Sequence, residues 1–220
     1  KLGWDDARAQ RLKRLIENGL ISADCKLSPR DARVPAWDGA PNKDWEAERM
    51  AVYAAQIDCL DQSVGRVMAL LDELKLADNT VLIFASDNGG VGGYIREGIL
   101  RGGGDVTDNA PLRHGKGSLY EGGTRVAAFA TWAGRIKAGL EIHEPMHMVD
   151  WYPTLLRLAG AKLEQSTALD GRDVWPVLTA GAKSPHDAIL LNTTPANGAV
   201  RIGDWKLVVG GNRNDDGGEG

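Results

Sequence analysis

The spacing of apolar and polar positions in the first part of the chain predicts alternating helices and strands. Residues 5–18 have the pattern of a helix that Gly19 ends, and residues 44–74 predict a much longer helix. Apolar positions three and four residues apart share one face of this long helix: Tyr53, Ile57, Leu60, Val64, Val67, Leu71 and Leu74. The continuous apolar run 80–86 then predicts a buried strand of a parallel sheet. A helix followed by a buried strand is typical of a layered α/β fold.

The second part of the chain continues this pattern and then changes its period. Residues 126–133 predict a strand, residues 148–159 a helix, and residues near 175–179 a short helix. Three short strands follow, at residues 188–192, 199–202 and 205–209. We therefore expect an α/β fold with a mixed, mostly parallel sheet flanked by helices, followed by a small C-terminal antiparallel sheet. The expected boundary between the two parts divides residues 1–180 from residues 181–220.

Composition is that of an ordinary globular protein. Of 220 residues, 43% are apolar and 25% are charged, and the net charge of −4 argues against a broad nucleic-acid surface. No run approaches the ~18 apolar residues of a membrane span, so none is expected. The chain starts at Lys1 without a signal peptide and finishes in a polar stretch at 212–220, so we expect both ends to be fragment ends.

Residues suited to ligand chemistry follow the apolar strand. Asp87 and Asn88 come directly after it, where open α/β sheets bind ligands, and their side-chain oxygens suit a hard cation such as Ca²⁺ or Mg²⁺. Lys116 lies in the Gly-rich segment 113–125, where it offers a positive charge to an anion while glycines allow close backbone approach. The alternatives are a plain strand-end turn for the first pair and a solvated surface residue for the lysine.

Other motif-like patterns in the chain give weaker indications of function. The glycine run 89–93 lacks the full Gly-x-Gly-x-x-Gly spacing and a following helix, so we do not expect a dinucleotide site. His143 and His147 are four residues apart, but the glutamate of a His-Glu-x-x-His zinc motif is missing. Glu121 is expected to organise the segment around Lys116. Cys59 lies among the core positions of the long helix, which predicts a buried free thiol.

Two segments resemble signatures of the sulfatase family, which belongs to the alkaline-phosphatase-like superfamily. They are Asp-Asn-Gly-Gly at residues 87–90 and Gly-Lys-Gly-Ser-Leu-Tyr-Glu-Gly-Gly-Thr-Arg at residues 115–125. Further segments are similar to bacterial arylsulfatases, at residues 3–5, 27–30, 50–55 and 147–155. The resemblance covers only the C-terminal half of such an enzyme.

The resemblance implies a role for three residues of this chain. It implies that Asp87 and Asn88 are metal ligands, with Ca²⁺ expected and Mg²⁺ as the alternative, and that Lys116 is the sulfate contact and a catalytic residue. His114 is a candidate donor to the leaving group, but it matches no catalytic histidine of the family with certainty, so a structural role is the alternative. The parent protein is therefore expected to be a metal-dependent sulfuric ester hydrolase of the arylsulfatase type.

The nucleophile that the resemblance implies is missing from this chain. Sulfatases use a formylglycine made from the first residue of a Cys/Ser-x-Pro-x-Arg motif. Residues 25–30 do not match this motif, because Leu27 takes the Pro position and Arg30 has the wrong spacing. The N-terminal metal carboxylates and the upstream catalytic Lys and His are missing as well. We expect the formylglycine to lie in a preceding part of the protein, and residues 1–220 alone to bind metal weakly and to show no turnover.

Two alternatives for the function remain. A phosphodiesterase or phosphonate hydrolase of the same superfamily would share the Asp-Asn pair, although the chain is short of the extra His and Asp ligands that such enzymes often carry. A non-catalytic module that binds an anionic glycan is the second. For a sulfatase we expect a small-molecule or glycan sulfate ester as the partner and a periplasmic or secreted location, as the family implies.

Overall fold

The computed structural model describes residues 2–30, 34–91, 109–162, 164–194 and 196–210. Residues 92–108 of the Gly-rich loop and the polar stretch 211–220 lie outside the described residues. The chain divides into two compact units, the first made of residues 1–75 and 91–111, the second of residues 76–90 and 112–220. No helix among the described residues combines the length and the apolar character that crossing a membrane requires.

The first unit contains the two predicted helices. Helix α1 comprises Trp4–Glu17 and helix α2 comprises Lys43–Glu73, within one residue of each predicted boundary. Gly19 follows α1 with a φ of +66°, a left-handed conformation that glycine adopts without strain. The predicted helices and the end of α1 are therefore confirmed.

Polar contacts hold α1 to the irregular segment that follows it. The Asp5 carboxylate accepts hydrogen bonds from the backbone N–H of Trp37 at 2.8 Å and from Arg30 at 2.9 Å. The N–H of Trp37 is the main reason that the pKa of Asp5 lies below its ordinary value; partial burial opposes the shift and Arg30 adds to it. Arg8 donates a further bond to the carbonyl of Ser28 at 2.7 Å. The first turn of α1 is thus fixed by charge-assisted hydrogen bonds.

The apolar face of α2 is exposed. Ile57, Leu60 and Val67 are each about half exposed, and none of the described residues of this helix is buried. Cys59 is a free thiol, as predicted, but it is exposed, so the prediction of burial is wrong. Periodicity identifies which residues share a face, but it does not say whether that face is covered. An exposed apolar surface of this kind is typical of an interface.

The first sheet of the second unit is antiparallel. Strand β1 (Leu82–Ala85) pairs with strand β2 (Ala128–Thr131), and the rings of Phe84 and Phe129 stack across the pair with centroids 4.8 Å apart. The mostly parallel sheet expected from the sequence is not confirmed, because every pairing among the described strands is antiparallel. β1 is also only half buried. An antiparallel partner places the start of β2 beside the end of β1, so the segment connecting them returns to that edge.

The C-terminal part of the second unit agrees with the sequence. Strands β3 (Ile189–Thr194), β4 (Asn197–Ile202) and β5 (Trp205–Val209) form an antiparallel sheet in that order. The second unit has three short helices: α3 (Glu121–Thr124), α4 (Trp151–Leu158) and α5 (Trp175–Ala180). The last two correspond to the predicted ones, and a 3₁₀ turn precedes α4. The small antiparallel sheet is therefore confirmed.

The core of the second unit is built around one short segment and one buried carboxylate. Val174, Val177 and Leu178 are buried, and Trp151 is among the side chains that pack against them. Asp150 is 1% exposed.

The Asp150 carboxylate joins three separate stretches of chain. It accepts hydrogen bonds from the backbone N–H of His147 at 2.6 Å, the backbone N–H of Arg172 at 2.9 Å and the His186 ring at 2.8 Å. Since buried carboxylates are tolerated only when such partners are present, this group is a structural hub.

Candidate functional site

Asp87 and Asn88 follow directly on the last hydrogen bond of the β1–β2 ladder. The ladder ends where the N–H of Ser86 donates to the carbonyl of Ala127 at 3.0 Å. The Ser86 hydroxyl then donates to the Asn88 carbonyl at 2.9 Å, which fixes the turn that leaves the strand. Asp87 is exposed and Asn88 is half buried. Both oxygen-bearing side chains therefore lie at the end of β1, as the sequence predicts.

Backbone hydrogen bonds hold the Lys116 segment against this strand end. The N–H of Lys116 donates to the carbonyl of Gly90 at 2.9 Å, and the N–H of Gly89 donates to the carbonyl of Gly123 at 3.0 Å. These two bonds cross between segments that are more than twenty residues apart in the sequence. The structure thus brings together the two stretches that sequence analysis selected separately.

Glycines allow these segments to pack backbone against backbone. A Cβ atom at Gly89 would overlap the carbonyl of Gly122, and one at Gly122 would overlap the carbonyl of His114. A Cβ at Gly123 would overlap the carbonyl of Ser118. Because real Cβ atoms are never found so close to a carbonyl oxygen, a side chain at any of these positions would displace the segment that carries Lys116.

Polar side chains at this site are available to a ligand. Lys116 is exposed, and neither its ammonium group nor the Asp87 carboxylate forms a hydrogen bond or ion pair with the described residues. Ser118 is only 5% exposed, yet its hydroxyl has no hydrogen-bond partner in the described part of the chain. No sequence pattern singles out Ser118, because a serine in a Gly-rich turn is ordinary. The exposed Lys116 and Asp87 side chains can therefore reach a ligand, whereas the Ser118 hydroxyl is enclosed by the protein.

His114 is held within its own segment. Its φ of +59° is a left-handed conformation, and its ring stacks on that of Tyr120 with centroids 4.8 Å apart. The guanidinium of Arg113 also lies over the Tyr120 ring, 3.9 Å from its centroid. These contacts favour the structural alternative for His114, whereas its role as a proton donor stays a prediction.

Helix α3 (Glu121–Thr124) receives a contact that the sequence does not predict. Lys206 of β5 donates to the Glu121 carboxylate at 2.9 Å and to the Thr124 hydroxyl at 2.8 Å. The contact joins residues 85 positions apart, which no local pattern reveals. It supports the expectation that Glu121 organises this segment.

The donor set at the end of β1 fits part of a metal site. The carboxylate of Asp87 and the amide oxygen of Asn88 are ligands that Ca²⁺ and Mg²⁺ prefer. Ca²⁺ takes about six to eight oxygens, and within the described ranges no three His, Cys, Asp or Glu side chains cluster in a way that could hold an ion. These two residues therefore suit a hard cation without completing its coordination shell.

Comparisons with known proteins identify several relatives. Arylsulfatase J from Mus musculus is 34% identical over 158 residues, which cover 72% of this chain and 25% of the relative. Steryl-sulfatase from Mus musculus is 39% identical over 136 residues, 61% of this chain and 21% of the relative. The crystal structure of Ps i-CgsB in complex with k-i-k-neocarrahexaose matches 93% of this chain and 45% of that structure, with a TM-score of 0.60 and 27% identity.

These matches agree on the family and on how much of a relative the chain represents. The chain spans about a quarter of the length of the two mouse proteins and under half of the solved structure. A family model described as Sulfatase matches residues 14–161, a range that includes Asp87, Asn88 and Lys116. The chain therefore belongs to the sulfatase family.

Proposed function

We propose that the protein containing this chain is a metal-dependent sulfuric ester hydrolase of the arylsulfatase type, with Asp87, Asn88 and Lys116 in its active site. The observation that carries the proposal is the backbone pairing of the strand end with the Lys116 segment. The Gly90–Lys116 bond of 2.9 Å and the Gly89–Gly123 bond of 3.0 Å hold an oxygen-rich strand end beside a free lysine, in a chain of this family.

Each of these residues has a distinct proposed role. Asp87 and Asn88 hold a divalent cation, Ca²⁺ or Mg²⁺, which when bound withdraws charge from the sulfate oxygens. Lys116 binds the sulfate through charge-assisted hydrogen bonds and stabilises the negative charge that develops as the ester bond breaks. His114 is a secondary candidate for donating a proton to the leaving oxygen. We further propose that a formylglycine nucleophile comes from residues outside 1–220, so that these residues alone show no turnover.

Steady-state hydrolysis of 4-nitrophenyl sulfate by the full-length protein tests this function. Lys116→Ala should lower kcat by about 10²-fold or more, which is the effect of losing one electrostatic donor. Lys137→Ala is the matched control and should leave kcat unchanged, because Lys137 is another exposed lysine of the same unit and forms no hydrogen bond or ion pair with the described residues. Equal activities of the two variants would show that Lys116 is not part of the active site.

The same assay distinguishes the alternatives. Faster hydrolysis of bis(4-nitrophenyl) phosphate than of the sulfate would instead support a phosphodiesterase of the same superfamily. Binding of a sulfated glycan without hydrolysis and without a need for Ca²⁺ would support a non-catalytic module. A sulfatase predicts preference for the sulfate ester and loss of activity when the divalent cation is removed by a chelator.

A further inference from the structure

The C-terminal sheet contacts helix α3 through a nearly buried lysine. The Lys206 side chain is only 12% exposed, and its ammonium group lies 2.9 Å from Glu121 Oε1 and 2.8 Å from Thr124 Oγ1. The Thr124 hydroxyl in turn donates to the Tyr120 carbonyl at 3.2 Å, so it accepts from the lysine with a lone pair that is free. A charged group at this burial requires such partners, because its desolvation is otherwise unfavourable.

A second cation lies on the other side of the same carboxylate. Arg201 of β4 stands directly opposite Lys206 of β5 in the strand register, and its guanidinium is 3.6 Å from Glu121 Oε2. Two like charges directly opposite each other on adjacent strands destabilise a sheet. Glu121 compensates both of them, so the sheet and helix α3 stabilise each other electrostatically.

Helix α3 adds two further backbone bonds between the two halves of the proposed site, beside the direct Lys116–Gly90 bond. The N–H of Gly122 donates to the Arg113 carbonyl at 2.8 Å, and the Gly123 carbonyl accepts from Gly89 at 3.0 Å. One bond reaches the stretch that leads into Lys116, and the other reaches the stretch that follows Asn88. A displacement of α3 would therefore change the distance between the lysine and the metal ligands.

We propose that Lys206, through Glu121, is a positioning residue for Lys116. Together with Arg201 it fixes α3, and α3 fixes the spacing between the proposed sulfate contact and the proposed metal ligands. This inference rests on the proposed function, because it concerns the geometry of that site. A displacement of about 1 Å in a catalytic group can lower a rate by about 10²-fold, so the contact affects turnover although it lies outside the reacting atoms.

Variants of the full-length protein, assayed with 4-nitrophenyl sulfate, test this positioning role. Lys206→Met keeps most of the length of the side chain and removes its charge. It should lower kcat about 10- to 100-fold with little change in KM. Lys206→Arg should restore most of the activity. Glu121→Gln should also lower kcat. The Lys206→Met/Glu121→Gln double variant should lose less than the product of the two single losses, because both changes break the Lys206–Glu121 contact.

Lys183→Ala is the matched control for the loss of an ion-paired lysine. Lys183 forms a 2.7 Å contact with Glu144 in the same unit, but its side chain is 89% exposed, and its loss should leave kcat unchanged. Multiplicative losses in the double variant, or normal kcat in Lys206→Met, would overturn the positioning role. So would a loss that Lys206→Arg does not restore.

Hydrogen–deuterium exchange separates a failure of this inference from a failure of the proposed function. In Lys206→Met, peptides covering residues 113–125 should exchange faster than in the wild type, whereas Lys183→Ala should leave them unchanged. If the wild type does not hydrolyse sulfate esters, the proposed function fails. Faster exchange in this segment would still show that Lys206 holds helix α3 and the Lys116 segment in place. Unchanged exchange in Lys206→Met contradicts the positioning role of Lys206, whatever the activity of the wild type.

Discussion

Replacing Asp150 with alanine should be among the most destabilising single changes in the second unit. The substitution removes an acceptor that is 1% exposed and leaves three donors without their partner: the backbone N–H of His147, the backbone N–H of Arg172 and the His186 ring. Each buried donor that loses its partner costs about 1–3 kcal/mol. Two of these donors are backbone groups that are only partly buried, so the lower part of that range applies, giving about 3–5 kcal/mol in total.

Thermal unfolding of the full-length protein, followed by tryptophan fluorescence, measures this effect. Trp151 and Trp175 pack against the buried core beside Asp150 and report on its loss. Tm falls by about 2–4 °C per kcal/mol for a domain of about 150–250 residues and by less for a larger one, so we expect a decrease of at least several degrees in the full-length protein. Asp170→Ala is the control, because Asp170 is an exposed carboxylate of the same unit and should leave Tm within about a degree. A similar Tm for both variants would refute the role of Asp150 as a hub.

Two further predictions concern the Lys116 segment and the start of α1. Gly122→Ala should lower kcat for 4-nitrophenyl sulfate by at least about 10-fold, because the added Cβ would overlap the His114 carbonyl. Gly39→Ala is the control and should leave kcat unchanged, because a Cβ at Gly39 meets no atom within 4 Å. Equal kcat values for the two variants would contradict the backbone packing around Gly122. The lowered pKa of Asp5 means that its ionised form stabilises the fold above the ordinary pKa of an aspartate, and that this contribution is lost as the pH falls through the lowered value. An NMR titration should show the pKa of Asp5 rising in Arg30→Ala without a full return to its ordinary value, because the N–H of Trp37 remains; no change would argue against the ion pair.

The local elements could be predicted because their signals are local. Both long helices follow from apolar spacing, and the position of β5 (Trp205–Val209) follows from the period-two pattern of a hairpin. The direction of pairing between β1 and β2 differs from the expectation, because a continuous apolar run favours a parallel strand but does not select the partner, and the partner here is antiparallel. The partner of β1 lies more than forty residues further along the chain, and only the fold selects it.

Burial and long-range polar contacts could not be predicted from the sequence either. The spacing on the apolar face of α2 is typical of a face buried in a core, but side chains such as Ile57 are about half exposed. Burial depends on what packs against the helix, which the spacing does not reveal. The sequence selects Asp87, Asn88 and Lys116 through motif resemblance, and their adjacency rests on backbone hydrogen bonds that no pattern encodes. The Lys206–Glu121 contact has no sequence signal at all, since a lysine in a strand is usually solvated.

A crystal structure of the full-length protein with Ca²⁺ and inorganic sulfate would show whether Asp87, Asn88 and Lys116 form the active site. We expect Lys116 Nζ about 2.7–2.9 Å from a sulfate oxygen, as in a charge-assisted hydrogen bond. We also expect side-chain oxygens of Asp87 and Asn88 about 2.3–2.6 Å from the cation. Sulfate bound elsewhere, with Lys116 in solvent and the cation held without Asp87 and Asn88, would contradict the assignment of these residues to a sulfatase active site.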